Sequence, residues 1–432
     1  SSRRPRVRDE ILALDADLIS LVELDDYEEY FKPELHARGY SSVFKKRPRD
    51  SSKDGCGIFF RTSAFELLAS DSIEFVDRED PVTKKKQKDR VGLLAYLKHS
   101  SGRKVIFIST HLARNPEDPK QTKSRAKQAA QLLQMLTDFA LQHDAMEVPV
   151  VLAGDMNTTS IKQIANIARS VFELCERPCH PFVFSAFAPR TLPTSVTTTR
   201  KMCIDYMLVG RLDVIDRIPL PKLTYDAPIP NAEHPSDHVP LTFRFGFSKM
   251  SSHIATAARG YILTLLGDAN SAGAVPLNAA GLVDAFDFFD MEQDGQCALR
   301  ELEAALLDLQ LMDKLPALRS AIEAEIGHSL DEEASGGKAL QFDEFSKAYH
   351  AAFLRARAHF KKDMQDAFQY FDSDGSGQLE QKELYSSFSA ACPFHISEET
   401  FAGIFAKLDA NSDGTVTVDE FVDFLMNRLV TK

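Results

Sequence analysis

The 432-residue sequence has no tryptophan, only six cysteines and no apolar run as long as a bilayer-spanning helix requires. The cysteines are scattered, and the close pair Cys175 and Cys179 has no second pair to complete a zinc site. This pattern predicts free thiols in a reducing cytosol and hence a cytoplasmic protein. No secretory segment precedes the first domain, but the chain opens with Ser1, so an upstream targeting segment stays an open alternative.

The remaining composition is ordinary for folded globular protein, with 44% hydrophobic and 26% charged residues, which argues against general disorder and a fibrous class. The length suits two or three domains. Residues 1–250 hold 37 Lys+Arg and 33 Asp+Glu, which leaves 14 and 30 for the remainder. A nearly neutral half with basic clusters suits an anionic substrate, whereas a strongly acidic half suits cation binding.

The first half alternates short apolar runs with helical patterns. Apolar positions from Ala126 to Ala140 recur at helical spacing and predict an amphipathic helix over Lys120–Leu141. The mixture predicts an α/β domain with layered sheets flanked by helices. A basic run, 84–90, is predicted to lie in a loop, either solvated or attracting an RNA backbone.

The second half is predicted to be all helical, with acidic glycine-containing loops that recur about every 40 residues. This spacing predicts four helix–loop–helix units in two pairs. The expected organisation is therefore a domain over 1–247, a linker over 248–253, and a helical domain over 254–432 with pairs at about 254–355 and 356–432.

Two loops in the acidic half, Asp372–Glu383 and Asp409–Glu420, have the residue pattern of calcium-binding EF-hands. Such a 12-residue loop offers oxygen ligands at positions 1, 3, 5, 7, 9 and 12 around a glycine at position 6. The predicted ligands that fit these positions are Asp372, Asp374, Ser376, the Gln378 carbonyl, Glu380 and Glu383 in one loop, and Asp409, Asn411, Asp413, the Thr415 carbonyl, Thr417 and Glu420 in the other. Position 8 is apolar in both, as expected where paired loops bridge through a short β-contact.

A third loop, Asp290–Glu301, fits the pattern less completely. Its predicted calcium ligands are Asp290, Glu292, Asp294, Gln296 and Glu301, but Ala298 offers no side-chain ligand. A fourth register, Glu333–Glu344, lacks ligands and the turn glycine, and it is predicted to be a structural partner that binds no calcium.

The first half also carries five short polar motifs at the ends of apolar runs. They contain Glu23, His111, Asp155 with Asn157, Asp205, and Asp237 with His238. Each motif alone is weak, because a single histidine is usually structural and Gly-Asp-x-Asn often forms a turn. Together they supply a hard-oxygen carboxylate for Mg²⁺, an Asp–His pair, and neutral donors for phosphoryl charge.

In this order the motifs resemble the endonuclease/exonuclease/phosphatase superfamily over residues 9–247. Asp17–Tyr40, the run 54–60 and Thr110–Leu112 look most like its nocturnin, Angel and poly(A)-deadenylase branch. The fusion to EF-hands is similar to a calcium-binding member group known in plants. The resemblance implies a four-layer α/β sandwich of two packed sheets flanked by helices, followed by an all-α EF-hand domain.

The resemblance also implies roles for individual residues. Glu23 would be the main Mg²⁺ carboxylate, with Asp237 completing the metal shell, and Mn²⁺ is the alternative metal. His238 would be the catalytic histidine held by Asp205, Asp155 would orient or deprotonate water, and Asn157 and His111 would donate to phosphoryl oxygens. Arg114 and Arg125 are the expected phosphate contacts, since Arg offers bidentate geometry.

Two departures from the family pattern bear on activity. The family's first strand ends in an Asn that shares the metal site, and no such strand precedes the predicted helix Arg8–Leu14. We therefore expect a sandwich that lacks its first strand. Val22 stands where the family has Gln, which removes a hydrogen bond behind the metal ligand.

These features predict a Mg²⁺-dependent phosphoesterase that acts on RNA ends or nucleotides and is regulated by calcium, with a protein partner for the calcium-loaded hands. Two alternatives stay open at this point. One is a calcium-responsive binding protein with an inactive phosphoesterase-like domain, and the other is an inositol or lipid phosphatase of the same fold.

Overall fold

The fold is that of a computed structural model. It describes residues 3–79, 86–118, 120–175, 177–180, 192–210, 212–247, 253–266, 277, 279–290, 292, 294–309, 311–330 and 339–431. The chain forms two compact units: one comprises Ser1–Phe172, Glu176–Gly246 and Phe388–His395, and the other comprises Glu173–Cys175, Phe247–Ser387 and Ile396–Lys432. The predicted linker lies outside the described residues, apart from His253, which begins a helix.

The first unit is a mixed α/β structure. Its strands are β1 (Leu18–Leu21), β2 (Tyr40–Lys46), β3 (Gly55–Arg61), β4 (Phe65–Glu79), β5 (Lys86–His99), β6 (Lys104–His111), β7 (Val150–Asp155), β8 (Ser195–Val196), β9 (Lys201–Met202), β10 (Asp205–Gly210), β11 (Leu212–Arg217) and β12 (Phe243–Phe247). Its helices are α1 (Arg3–Ala13), α2 (Lys32–His36), α3 (Gln121–Gln142) and α4 (Ile161–Leu174), and a π-helical turn covers Tyr27–Phe31.

Two sheets form the core of this unit, with strand orders β1-β3-β2 and β10-β7-β6-β5-β4. In the larger sheet, β6 and β7 run parallel and the other neighbouring pairs are antiparallel. Helix α3 connects the parallel pair, as such a crossover requires. The side chain of Ser20 on β1 donates to that of Ser109 on β6 at 2.7 Å, so the two sheets pack face to face.

Helices cover both outer faces of the two sheets. On the smaller sheet, Val7 and Ile11 of α1 pack against a buried cluster that includes Ile19, Leu35 and Phe59. On the larger sheet, α3, α4 and three strands surround a small apolar cavity lined by Leu132, Leu136, Ile164, Ala168, Ile108 and Leu152. The predicted four-layer α/β class is therefore confirmed, and the apolar periodicity of α3 explains which of its faces is buried.

The basic run predicted to lie in a loop is strand in its described part, because Lys86, Lys88 and Arg90 belong to β5. β5 pairs with β4 in an extended hairpin arm, where Lys88 Nζ lies 3.0 Å from Glu74 Oε2. The alternation of charged and other residues here is that of a strand, and ion pairs with the neighbouring strand offset its charge.

The second unit is helical. Its helices are α5 (His253–Leu265), α6 (Ala279–Phe289), α7 (Leu299–Asp308), α8 (Leu315–Ile326), α9 (Phe342–Phe371), α10 (Gln381–Ala391), α11 (Glu398–Leu408) and α12 (Val418–Thr431), with a 3₁₀ turn over Met312–Lys314. The short strands β13 (Gln296–Cys297), β14 (Leu340–Gln341), β15 (Gln378–Glu380) and β16 (Thr415–Thr417) join the loops in antiparallel pairs. Leu379 lies opposite Val416, so the predicted contact between the position-8 residues is confirmed.

A long helix of this unit crosses the predicted boundary between the two pairs of hands, at about residues 355 and 356. Helix α9 runs without interruption for 30 residues through that boundary. It starts with a capping box in which Gln341 and Glu344 each bond to the other's backbone. A single helix therefore serves both pairs of hands.

None of the helices in the described part of the chain has the length and apolar character needed to span a membrane.

Candidate functional site

Three polar side chains stand side by side at one edge of the larger sheet. His111 ends β6 and lies opposite Asp155, which ends β7, and Asp155 lies opposite Asp205, which begins β10. Directly opposed residues on neighbouring strands point to the same face of a sheet. Strand register thus brings together groups that are up to 94 residues apart in the sequence.

Asp205 and His238 form a hydrogen-bonded pair, with 2.7 Å between Asp205 Oδ2 and His238 Nδ1. The buried segment around Thr194 holds both partners. Thr194 Oγ1 accepts from the backbone N–H of Asp205 at 3.2 Å, and Ser195 Oγ donates to the carbonyl oxygen of Asp237 at 3.0 Å. Sequence reasoning predicted the Asp–His pair but missed Thr194 and Ser195, whose residue types carry no signal of this role.

The Asp205 carboxylate controls the charge of His238. Burial alone would lower the pKa of the imidazole, but the hydrogen bond and negative charge of Asp205, with the charges of Asp155 and Asp237, raise it to about 9. The imidazole is therefore positively charged at neutral pH, with Nδ1–H donated to Asp205 and Nε2–H left to face the site.

The pKa of Asp155 is also raised, but for a carboxyl group a higher pKa favours the uncharged form. Burial and the neighbouring charge of Asp205 raise its pKa to about 7, although His238 acts in the other direction. Its Oδ1 accepts from the backbone N–H of Asn157 at 2.8 Å, and the Asn157 amide donates to the Leu112 carbonyl at 3.2 Å. A carboxylate whose pKa lies near neutrality is suited to exchange a proton with water.

The turn after β7 depends on Gly154. A Cβ at this position would lie 1.9 Å from the carbonyl oxygen of Thr110 on β6, so no other residue fits without moving the strands apart. Asn157 closes the turn at a positive φ of 47°, a conformation that Asn adopts more readily than most residues. The motif Gly-Asp-Met-Asn is thus required both by strand packing and by turn geometry.

His111 is buried and neutral. Burial, followed by the positive charges of Arg90, Arg114 and His238, lowers its pKa well below the usual value. Arg90 Nη1 lies 3.3 Å from His111 Nδ1, and His111 Nε2 lies 3.6 Å from Asp155 Oδ2. The role of Arg90 beside His111 was missed by sequence reasoning, although an arginine next to the apolar run of β5 was an available signal.

Glu23 and Arg114 bond to each other through their side chains. Glu23 follows β1 at a positive φ of 51°, and its Oε1 also lies 3.9 Å from His111 Nδ1. The structure therefore brings the predicted metal carboxylate and one predicted phosphate contact to the edge of the same site. Asp237 is half exposed, and its Oδ1 lies 3.6 Å from Arg3 Nη2.

Arg125 differs from its predicted role as a phosphate contact. Its side chain is only 2% exposed, and Nη1 donates to the carbonyl oxygens of Ala113, Arg114 and Asn115 at 3.3–3.4 Å. Because these donors are used within the loop after β6, Arg125 shapes that loop and is not exposed for the predicted phosphate contact. Helical spacing alone did not reveal that this arginine faces inward.

Asp155, Asp205 and His238 each offer one ligand atom within 4.8 Å of the other two. Two neighbouring carboxylates suit a divalent cation, because a cation would offset the burial and the repulsion by Asp205 that raise the pKa of Asp155. The carboxylate oxygens of Asp155 and Asp205 suit Mg²⁺ or Mn²⁺, whereas the protonated imidazole of His238 has no lone pair for a metal. His111 lies between Glu23 and this group, because its ring is near both Glu23 and Asp155.

In the two calcium loops of the second pair, contacts within each loop position the carboxylates, whereas strand register does so at the strand ends. In Asp372–Glu383, the Asp372 carboxylate accepts from the backbone N–H groups of Ser376 and Gly377, and Glu383 Oε1 accepts from those of Ser373 and Asp374. Asp372, Asp374 and Glu383 converge within 4.8 Å. The Ser376 hydroxyl donates to the carbonyl oxygen of Gln378 at 2.7 Å.

The loop Asp409–Glu420 repeats this pattern. Asp409 accepts from the backbone N–H groups of Asp413 and Gly414, and Glu420 accepts from those of Asn411 and Thr417. The backbone N–H of Thr415 lowers the pKa of Asp413, as that of Ser376 does for Asp374. These carboxylates are therefore held as anions.

The third loop, Asp290–Glu301, has the same backbone arrangement where it is described. Asp290 accepts from the backbone N–H groups of Asp294 and Gly295, and Glu301 accepts from those of Glu292 and Ala298. The Glu292 side chain, however, pairs with Arg300 at 2.7 Å, and that of Gln296 is exposed. This loop pairs through Cys297 with Leu340 of the fourth register.

In the fourth register a histidine contacts the final glutamate. Residues 331–338 lie outside the described residues, but His328 Nε2 lies 2.9 Å from Glu344 Oε1. Glu344 Oε2 accepts from the backbone N–H of Gln341 at 3.2 Å. The carboxylate that would bind calcium in an intact hand is therefore engaged by an imidazole and the backbone.

Comparisons with protein families match both halves of the chain. Residues 1–238 match the family described as Endonuclease/Exonuclease/phosphatase family, and residues 361–426 match an EF-hand domain pair. The first match covers more than half of the chain. The EF-hand match covers the second pair of hands.

Curated relatives agree with the first match. The 3'-5'-exoribonuclease subunit Ccr4 of the CCR4-Not complex of Kluyveromyces lactis is 28% identical over 298 residues, 57% of this chain and 37% of its own length. Protein angel homolog 2 of Bos taurus is 32% identical over 164 residues, 37% of this chain and 29% of its own length. The aligned part of the chain thus spans 29–37% of the length of these relatives.

Solved structures with a similar arrangement include the human Nocturnin catalytic domain with bound sulfate, at 22% identity and a TM-score of 0.44 over 57% of this chain and 86% of that one. ANGEL2, a 2',3'-cyclic phosphatase, in complex with adenosine-2',3'-vanadate aligns at 25% identity and a TM-score of 0.47 over 56% of this chain and 85% of that one.

Proposed function

Because the chain belongs to the endonuclease/exonuclease/phosphatase family, we propose that it hydrolyses phosphate ester bonds of RNA ends or nucleotides with the help of Mg²⁺ or Mn²⁺. The observation that carries the proposal is the Asp205–His238 pair beside Asp155 at the ends of adjacent strands. The names of the relatives, an exoribonuclease subunit and a cyclic phosphatase, support this substrate class.

In this proposal four side chains act directly on the phosphate and the attacking water. His238, charged because Asp205 raises its pKa to about 9, donates from Nε2 to a phosphoryl oxygen and stabilises the charge that develops there. Asp155, with a pKa of about 7, accepts the proton of the attacking water. Arg114 and the neutral His111 contact the remaining phosphoryl oxygens.

Glu23, Asp155, Asp205 and Asp237 are the residues available to hold the divalent cation. The cation, when bound, polarises a phosphoryl oxygen and offsets part of the negative charge. Binding at Glu23 requires its carboxylate to give up its bond to Arg114. The same exchange would release Arg114 for the substrate phosphate.

We also propose that calcium binds the hands of the acidic half and regulates hydrolysis. The loops Asp372–Glu383 and Asp409–Glu420 support two such sites, and Asp290–Glu301 supports a third, weaker one. Calcium would bias the paired helices toward an open state whose apolar groove engages the catalytic unit or another protein. Equal turnover in a calcium chelator and in saturating calcium would contradict the regulatory part of this proposal.

The test is hydrolysis of oligo(A), nucleotide 2′- and 3′-phosphates and 2′,3′-cyclic phosphates, each with Mg²⁺ or Mn²⁺. An inositol phosphate serves as the alternative substrate of the same fold. The His238→Ala variant is expected to lose about 10²- to 10³-fold in kcat/KM, the usual effect of removing one donor that stabilises developing charge. The exposed His36 provides a matched His36→Ala control that should retain activity.

One observation favours a second candidate, a calcium-responsive binding protein without catalysis. The Glu23 carboxylate is already bonded to Arg114, which leaves it less available to a metal. If no phosphate ester were hydrolysed faster by the unaltered chain than by His238→Ala, this second function would replace the first.

A further inference from the structure

Arg90 is a buried arginine with little to offset its charge. Its side chain is 2% exposed, and its Nε has no hydrogen-bond partner among the described residues. Asp89 Oδ2 lies 3.7 Å from Nε, beyond hydrogen-bond distance, and the Asp89 carboxylate already bonds to Arg47 and Arg49. Because a buried charge is costly unless it is paired, the position of Arg90 calls for an explanation.

The Arg90 side chain lies within hydrogen-bond distance of the imidazole of His111. Nη1 of Arg90 lies 3.3 Å from Nδ1 of His111, and both side chains are buried. A guanidinium has five N–H donors and no acceptor. The contact is a hydrogen bond only if His111 Nδ1 carries a lone pair, which places the proton of the neutral ring on Nε2.

The other groups near His111 do not compete for Nδ1. Glu23 Oε1 lies 3.9 Å from Nδ1, too far to accept a hydrogen bond, and it is bonded to Arg114. On the opposite side of the ring, Nε2 has no hydrogen-bond partner among the described residues, and the nearest carboxylate oxygen, Oδ2 of Asp155, is 3.6 Å away. A buried Nε2–H group without a partner thus points toward the Asp155 side of the site.

We propose that Arg90 is a positioning residue that fixes His111 as the Nε2–H tautomer, so that Nε2 donates a hydrogen bond to a phosphoryl oxygen of the substrate. A guanidinium only donates hydrogen bonds, so it leaves the neutral His111 ring one tautomer. This role accounts for the buried position of Arg90. The catalytic part of this inference rests on the proposed function, whereas the tautomer itself does not.

The tautomer is measured by long-range ¹H–¹⁵N NMR on the full chain with ¹⁵N-labelled histidine, with the His111 signals assigned through His111→Gln. We expect Nδ1 to resonate as an unprotonated nitrogen and Nε2 as a protonated one. In Arg90→Met the Nδ1–H form should become populated, and Arg90→Lys, which again offers only donors, should restore the Nε2–H form. Arg49→Met is the matched control, since Arg49 pairs with Asp89 without contacting His111.

An Nδ1–H or doubly protonated His111 in the unaltered chain would overturn the proposal even if Arg90→Met failed to fold. An unchanged tautomer in folded Arg90→Met would overturn it as well. With a hydrolysed substrate, Arg90→Met should lower kcat by about 10- to 100-fold with little change in KM, the range for residues that orient a functional group. A chain that hydrolysed no substrate would refute the proposed function and leave the tautomer result standing.

Discussion

The strand-end site and the calcium loops both gather carboxylates, but they hold them in opposite ways. In the loop Asp409–Glu420 the carboxylates of Asp409, Asp413 and Glu420 accept backbone N–H groups of their own loop, which lowers the pKa of Asp413. At the strand ends, Asp155 is buried beside another carboxylate, and its pKa is raised to about 7. The loops hold their carboxylates as anions, whereas the strand-end site contains a carboxyl group that exchanges its proton near neutral pH.

The largest expected effect tests whether His238 depends on its carboxylate partner. Asp205→Asn should reduce kcat/KM by about 10²- to 10³-fold, because an amide neither fixes the imidazole of His238 nor stabilises its charge. The measurements are kcat/KM for the best substrate and the calcium affinity of the same variant by calorimetric titration. Calcium binding should be unchanged, and the exposed Asp226 gives the control Asp226→Asn. A fall in both properties would indicate general unfolding instead.

The next effect concerns pH. The pKa of His238 in the folded chain, about 9, exceeds its ordinary value of 6.5, so the Asp205 interaction stabilises the fold fully below pH 6.5 and less as the pH rises to 9. In a metal chelator, the free energy of unfolding should fall over this range by at most about 3 kcal/mol. Urea denaturation at pH 6, 7.5 and 9 measures it. Asp205→Asn should flatten this dependence; an equally steep slope in the variant would assign it to other groups.

A smaller effect compares two position-12 glutamates. Glu420→Gln should weaken calcium binding at its loop by about 10- to 100-fold, or roughly 1.4–2.7 kcal/mol, because the loop loses an anionic ligand. Glu344→Gln, in the hand where His328 occupies the carboxylate, should leave the calcium stoichiometry and affinities unchanged. Isothermal titration calorimetry distinguishes the two, and a lost site in Glu344→Gln would show that the fourth hand binds calcium.

The smallest effects separate strand packing from local helix propensity through two glycines. Gly154→Ala should cost about 1–3 kcal/mol, because its Cβ would meet the Thr110 carbonyl. Gly403→Ala, in helix α11 with open space around the new Cβ, should stabilise by about 0.5–1 kcal/mol. Scanning calorimetry should show the two shifts with opposite signs, and equal signs would contradict the assigned causes.

The difference between the local calcium loops and the strand-end site explains which features the sequence could predict. The calcium loops are local, so residue type and spacing over 12 positions specify the ligands and even the Leu379–Val416 contact. The Asp205–His238 pair spans 33 residues, and the order of the motifs, read through the family resemblance, was enough to predict it.

Contacts that depend on side-chain direction were not predictable in this way. Arg125 was expected at a phosphate, but the inward face of α3 turns it toward backbone carbonyls. The Glu23–Arg114 bond joins residues 91 apart, and the Arg90–His111 contact needs the register of β5 against β6. Such contacts follow from strand pairing and helix rotation, which short motifs do not encode.

Helix α9 begins next to the histidine-engaged hand and ends at Asp372, the first residue of a calcium loop. At 1.5 Å per residue its 30 residues form a rod of about 45 Å. Because the helix has no break, a tilt at its calcium end would move its other end as well. The hand that lacks a calcium pattern therefore shares one continuous helix with its calcium-binding neighbour.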